Sequence, residues 1–205
     1  MGQYFSNDYL ESNISKYPVS MFGNNYTFFT DNGVFSKNKL DFGTRFFLET
    51  LPISSLFGDI LDVGCGYGVI SIILSKVVNA TFDGIDINRR ALHLASRNVK
   101  ENRVSNVSFF ESDVYDNVSK KYHFILTNPP IRAGKKVVYK IVEEAEKHLH
   151  PGGSLFLVIR KDHGAKTLIK DFEEQYEISV LDRCNGFFVI RCSLRWQVVN
   201  CMLLI

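Results

Sequence analysis

The sequence predicts an α/β fold: a mostly parallel sheet, covered by helices on both faces and finished by an antiparallel pair. Three observations carry this. From Asp59 onward, short apolar runs alternate with helical stretches, which implies βαβ units and a sheet buried on both faces. The last two β-like runs follow one another through Asn185-Gly186, a hairpin turn signal. And 205 residues suffice for one domain that buries its own core.

Taken in order, residues 1–37 are aromatic and turn-rich, and MFGNNYTFFTDNG offers an Asn-Asn turn between two short β-like runs. This predicts a short N-terminal β-hairpin extension leading into the main domain. A helix follows from Leu40 to Leu51, stopped by Pro52. Strands are expected at 59–63, 81–86, 107–110, 122–127 and 154–160, with helices at 68–78, 88–102, 135–150 and 164–175. The closing pair spans 176–183 and 186–194. The tail at 195–205 holds the single Trp; it could extend the last strand, form a short helix or play no part. The expected division is a hairpin extension at 1–37, a main domain at 38–194 and the tail.

Composition excludes several classes. With 45% apolar and 22% charged residues, the chain is neither disordered nor collagen-like. Its apolar runs are far shorter than a membrane span. The net charge of +2 advertises no polyanion partner in bulk. It is unevenly spread, however: residues 1–60 carry four basic and six acidic side chains, residues 61–205 twenty and sixteen, so polyanion contacts belong to local patches in the later part. Cysteines 65, 184, 192 and 201 show no C-x-x-C spacing, and five histidines form no metal pattern. A reduced, cytoplasmic protein without metal is expected. Met1-Gly2 with Ser6 fits the myristoylation pattern, but no basic cluster follows to supply a second anchor.

The chemistry begins at LDVGCGYG, residues 61–68. Gly64, Gly66 and Gly68 sit between an expected strand and an expected helix, where a ligand can approach backbone that lacks Cβ atoms and meet the helix N-terminus. The spacing is G-x-G-x-G rather than the G-x-G-x-x-G of dinucleotide sites. Asp62 stands just before it, and a carboxylate there suits a ligand carrying an amine and a sulfonium better than one carrying phosphates. Asp86 closes the next strand, where a carboxylate can accept both ribose hydroxyls. Asp113, after the third strand, can accept from an adenine amine. Three acids after three successive strands share the sheet edge at which open α/β sheets bind ligands.

After the fourth strand comes Asn128-Pro129-Pro130-Ile131. Two prolines fix the backbone and remove two N–H donors, leaving acceptors that suit a substrate amine. Gripping the hydrogens of a conjugated amine turns its lone pair toward an incoming methyl group.

Together LDVGCGYG, the acid of GIDIN, the acid of ESDV and TNPPI resemble class I S-adenosylmethionine-dependent methyltransferases, and among them the small methyltransferase group that modifies exocyclic or amide nitrogens. FTDNGVFSKNKLDFGTRFFLE (29–49) and TNPPIRAGKK (127–136) resemble more closely the catalytic half of the guanine-N2 methyltransferases of small-subunit rRNA. The resemblance covers about residues 15–192. It implies a Rossmann-like, seven-stranded sheet with a reversed last strand. It implies S-adenosylmethionine contacts at Asp62, Gly64, Cys65, Gly66, Gly68, Asp86, Ile87, Asp113, Val114 and Asn128, and catalysis at Asn128, Pro129 and Pro130. Ile131 replaces the Tyr or Phe that adenine-N6 and glutamine-N5 enzymes carry there, so a stacking aromatic must come from elsewhere, with Phe35 the candidate. The substrate side would comprise Phe35, Lys37, Ile131, Arg132, Lys135 and Lys136. The larger rRNA enzymes carry a second, duplicated domain for which this chain is too short.

Arg132, Lys135 and Lys136 crowd an expected helix start, where cations oppose the helix dipole and an anionic substrate would relieve them. Arg89, Arg90, Arg97, Lys100 and Arg103 read as a solvated helix face. Arg160, Lys161, Lys166 and Lys170 form a third basic stretch. The expectation is methyl transfer to guanine N2 of small-subunit rRNA by a monomer or homodimer without membrane contact. The alternatives are another nucleobase (adenine N6) or a protein glutamine amide, a NAD-dependent oxidoreductase, and a non-catalytic RNA-binding module.

Overall fold

The computed structural model describes residues 11–129 and 134–195. Pro130, Ile131, Arg132 and the tail from 196 lie outside the described residues. A hairpin opens the described chain: β1 (Ser15–Met21) pairs antiparallel with β2 (Asn24–Thr30). Its turn is Phe22-Gly23, with φ of 50° and 75°, not the expected Asn-Asn pair. Two consecutive residues with positive φ give the type of tight turn whose twist matches the flanking strands. Asn24 and Asn25 instead open β2.

Helix α1 (Phe42–Thr50) starts at Asp41, whose side chain accepts from the Thr44 amide, and stops at Leu51 before Pro52. The main sheet then builds in alternation. β3 (Gly58–Val63), α2 (Val69–Leu74), β4 (Ala80–Asp86), α3 (Arg89–Asn102), β5 (Val107–Glu111), β6 (Tyr122–Thr127), α4 (Lys135–His148), β7 (Leu149–Arg160) and α5 (Ala165–Asp171) follow in turn. β8 (Tyr176–Cys184) and β9 (Phe187–Leu194) close it through the expected Asn185-Gly186 turn.

The seven strands lie in the order β5-β4-β3-β6-β7-β9-β8. β9 runs antiparallel to both neighbours; β3 to β7 are mutually parallel. Period-2 alternation divides the core between the two faces. Ile60, Phe82, Leu126, Phe156 and Val158 face one cluster, shared with the hairpin, α1 and α2. Leu61, Val63, Ile85, Ile125, Leu155, Leu157 and Ile159 face the other, shared with α4 and α5.

The hairpin is clasped to α3. Asn98 accepts from the Phe29 amide (2.6 Å) and donates to the Phe29 and Tyr67 carbonyls (3.1 and 2.9 Å). One turn on, Asn102 does the same at Thr27 (3.0 and 2.8 Å). The guanidinium of Arg97 lies 3.5 Å from the centre of the Phe29 ring, Arg90 donates to the Asn32 carbonyl, and Arg89 pairs with Glu111. The basic residues expected to form a solvated face thus include three that make specific contacts.

Candidate active site

β3 is flanked by β4 on one side and β6 on the other, so the chain leaves their ends in opposite directions and opens a crevice. The register places the parts. Val63 is level with Ile85 and Asp62 with Leu126, so one and two rungs further Gly64 falls beside Asp86 and Asn128. Thr127 ties this end shut by donating to the Val63 carbonyl at 2.8 Å. The crevice is lined by Gly64, Cys65, Gly66 and Tyr67 on one side and by Asn128, Thr44, Asp41 and Phe35 on the other.

Gly64, Gly66 and Gly68 have φ of 71°, 56° and 89°, a left-handed region that costs residues with a Cβ. A Cβ on Gly66 would meet open space, whereas one on Gly68 would strike the Phe109 ring at 2.6 Å. Gly66 is therefore the place of close approach and Gly68 a packing point. The turn's amides face inward: Gly64 and Cys65 donate to the Ile85 carbonyl (2.8 and 2.9 Å) and Gly66 to Asp86 Oδ2 (2.9 Å). The helix N-terminus behind the turn is the start of α2, where Gly68 provides no side-chain cap. The turn is not a phosphate cradle.

Behind it stand two carboxylates with too little positive charge. Asp62 is fully buried; Oδ2 accepts from Ser71 at 2.7 Å, while Oδ1 has no partner. Burial first, and the nearby Asp86 charge in addition, push its carboxyl up to about 7. Burial also raises Asp86, despite its bonds from the amides of Gly66 and Asn88. Burial and both acids hold the Cys65 thiol neutral by raising it further. An orphaned acceptor and two under-compensated acids fit a cation-bearing ligand and repel a pyrophosphate. S-adenosylmethionine, with its ammonium and sulfonium, is a ligand of the kind these residues fit.

On the far wall, Asn128 donates from Nδ2 to Thr44 Oγ1 at 2.9 Å, and Oδ1 accepts nothing among the described residues. Pro129 is buried beside it. Phe35, 66% exposed, stands at the mouth. Its segment is held by Tyr67, which donates to the Ser36 carbonyl (3.1 Å) and shares a 2.7 Å bond with Tyr17, and by Asn88, which donates to the Gly33 carbonyl (3.2 Å). Asp113 is exposed past the end of β5, while Val114, at φ 53°, is buried. Ile87 is half-buried. Lys37 donates to Asn32 at 2.6 Å and does not line the crevice. Lys135 and Lys136 are exposed at the start of α4, the ammonium of Lys135 lying 4.4 Å from the Tyr139 ring centre.

Sequence reasoning missed Asp41, Thr44, Ser71 and the structural use of Tyr67. Asp41 reads locally as a helix cap, which it is. Nothing local marks Thr44, because its partner lies 84 positions away.

The sheet order, the reversed β9 and the crevice at the switch point define a Rossmann-like methyltransferase. More narrowly, residues 25–191 match the methyltransferase small domain family, and the chain belongs to it. It is 40% identical over 188 residues to YbxB of Bacillus subtilis, an uncharacterised protein, covering 90% of this chain and 94% of that one. It is 33% identical over 159 residues to the ribosomal RNA small subunit methyltransferase C of Haemophilus influenzae, covering 75% of this chain and 48% of that one. Among solved structures, the 16S rRNA N2 methyltransferase RsmC of T. thermophilus, in complex with AdoMet and guanosine, superposes with a TM-score of 0.79 at 25% identity, over 91% of this chain and 52% of that one. The chain spans about half the length of the rRNA enzymes it matches.

Proposed function

We propose that this protein transfers the methyl group of S-adenosylmethionine to guanine N2 in small-subunit rRNA, acting in the cytoplasm. The observation that carries the reading is the meeting of an acid-backed glycine turn with the free Oδ1 of Asn128 across one crevice. The RsmC relative was solved with AdoMet and guanosine, a cofactor and a nucleoside of the kinds this crevice suits.

The sulfonium donor supplies an activated methyl group, so the chain needs no covalent nucleophile. Asn128 Oδ1 and the Pro129 carbonyl accept the two hydrogens of the guanine amine. This orients the nitrogen lone pair, otherwise delocalised into the ring, toward the methyl carbon. S-adenosylmethionine, when bound, would supply the methyl group with its C–S pair returning to sulfur, and the surplus proton of the amine would leave for water. Phe35 gives the base a face to stack on, in place of an aromatic at position 131. Lys135 and Lys136, exposed at the start of α4, provide positive charge for the RNA backbone.

The test is label transfer from a methyl-tritiated donor to small-subunit rRNA, with the product nucleoside identified by mass spectrometry. N2-methylguanosine is expected. Asn128→Ala should lower kcat by roughly 100-fold or more while calorimetry finds the S-adenosylmethionine Kd within a few-fold. Label on adenine or on protein, or undiminished turnover by Asn128→Ala, would overturn the assignment.

A further inference from the structure

We infer that Thr44 is a positioning residue for this reaction: its hydroxyl holds the Asn128 amide in the orientation that offers Oδ1 to the substrate amine. The inference rests on the function proposed above and adds a residue from a distant part of the chain.

The two ends of an asparagine amide have nearly the same shape and opposite polarity. Only one orientation serves here. With Oδ1 toward the crevice, the amide accepts a hydrogen of the amine. Turned over, it presents two N–H donors to two N–H donors, and the substrate is repelled. Backbone rigidity does not settle this. Thr127 and Pro129 fix where the asparagine stands, yet leave the terminal torsion of its side chain soft. The restraint comes from Thr44, which takes Nδ2 at 2.9 Å. A hydroxyl can also donate, but donating to Oδ1 would consume that oxygen and aim Nδ2 into the crevice. The bond in place is Nδ2 donating to Oγ1, which leaves Oδ1 toward the crevice.

Thr44 is well placed to impose the restraint. It is buried, 6% exposed, in the first turn of α1, and its own amide donates to the capping Asp41 at 3.1 Å. A threonine on a helix divides between two χ1 rotamers, and the bond from Asn128 is made with one of them. The reacting group is thereby fixed between the end of β6 and the start of α1, elements that no local motif links. Thr44 lines the crevice beside Asn128, and its proposed part in the reaction is exerted through Asn128.

Thr44→Val keeps the shape and removes the acceptor; Thr44→Ser keeps the hydroxyl. Steady-state transfer to rRNA, calorimetry with S-adenosylmethionine and a thermal melt are read for each, with Thr44→Ala in place of valine if the latter does not fold. Thr44→Val is expected to lower kcat roughly tenfold, the loss of about one hydrogen bond, with the Kd for S-adenosylmethionine within twofold. Thr44→Ser should restore kcat to within about threefold of the parent. In an Asn128→Ala background, Thr44→Val should cost nothing more, since the amide it positions is gone. Parental kcat in Thr44→Val beside an inactive Asn128→Ala would overturn this inference and leave the proposed function standing. Losses that multiply in the double variant would also overturn it. Undiminished activity of Asn128→Ala would instead bring down the function itself.

Discussion

Asp62 shows how much one side chain can decide. A carboxyl with no exposure and an unpartnered oxygen is costly when ionised, and its pKa of about 7 expresses that cost. The sign follows directly. A carboxyl raised above its unfolded value is most stabilising when protonated, so its contribution is complete below about pH 4 and is lost as pH rises through 7. Between pH 5.5 and 8, the melting temperature of the free protein should fall, and Asp62→Asn should flatten that fall; equal slopes in the two proteins would remove Asp62 as the cause. A cationic cofactor favours the ionised form and reverses the dependence. S-adenosylmethionine should bind roughly tenfold more tightly at pH 8 than at pH 6, with proton release seen as a buffer-dependent calorimetric enthalpy. Cofactor binding that ignores pH over this range would mean the ammonium does not meet Asp62. Local sequence singled out Asp62 by its place before the glycines, but gave no sign of Ser71, its partner nine positions on.

Helix α3 does at the element scale what side chains do in a sheet. Asn98 and Asn102, one turn apart, meet the backbone of β2 at alternate residues Phe29 and Thr27. They cover polar groups that an edge strand would otherwise expose. Asn98 is fully buried and also takes the Tyr67 carbonyl in the glycine turn, so the same residue links the hairpin to the crevice. Asn98→Ala should cost about 2–4 kcal/mol by stranding several buried polar groups; urea denaturation reads this as a lower midpoint at unchanged m-value. A loss below about 0.5 kcal/mol would show the clasp to be ornamental. Local signals served the end of α1 well, where the helix stops at Leu51 before Pro52. They misplaced the hairpin turn, because two asparagines are the commoner turn formers and a Phe at φ 50° is a rare one. They read α3's basic residues as a solvated face, and Arg89, Arg97, Lys100 and Arg103 are exposed; nothing in α3 itself shows that Phe29 lies beneath Arg97.

At the scale of the whole molecule, the hairpin and the sheet share one core. Tyr17, Val19, Met21, Tyr26 and Phe28 are all buried in the cluster that holds Ile60, Leu74 and Phe82. Each such side chain contributes about 1.5–3 kcal/mol, which together rivals the 5–15 kcal/mol of an ordinary domain's net stability. A chain begun at residue 38 should therefore show no cooperative thermal transition by circular dichroism. A sharp melt would show that the hairpin is an appendage.

The sequence by itself determined the alternation of strands and helices, the antiparallel ending, the acid-flanked glycine turn and the Asn-Pro-Pro ledge. Those features rest on periodicity, on φ and on missing N–H groups, which are properties of a residue and its close neighbours. Tertiary structure alone decided that β3 lies between β4 and β6, and so that the turn faces Asn128. It alone turned the Gly64, Cys65 and Gly66 amides inward toward β4 and set Thr44 against Asn128. Those choices depend on which strand ends lie side by side, and side-chain hydrogen bonds that reach only about 3 Å form between distant residues only once the sheet has brought them together.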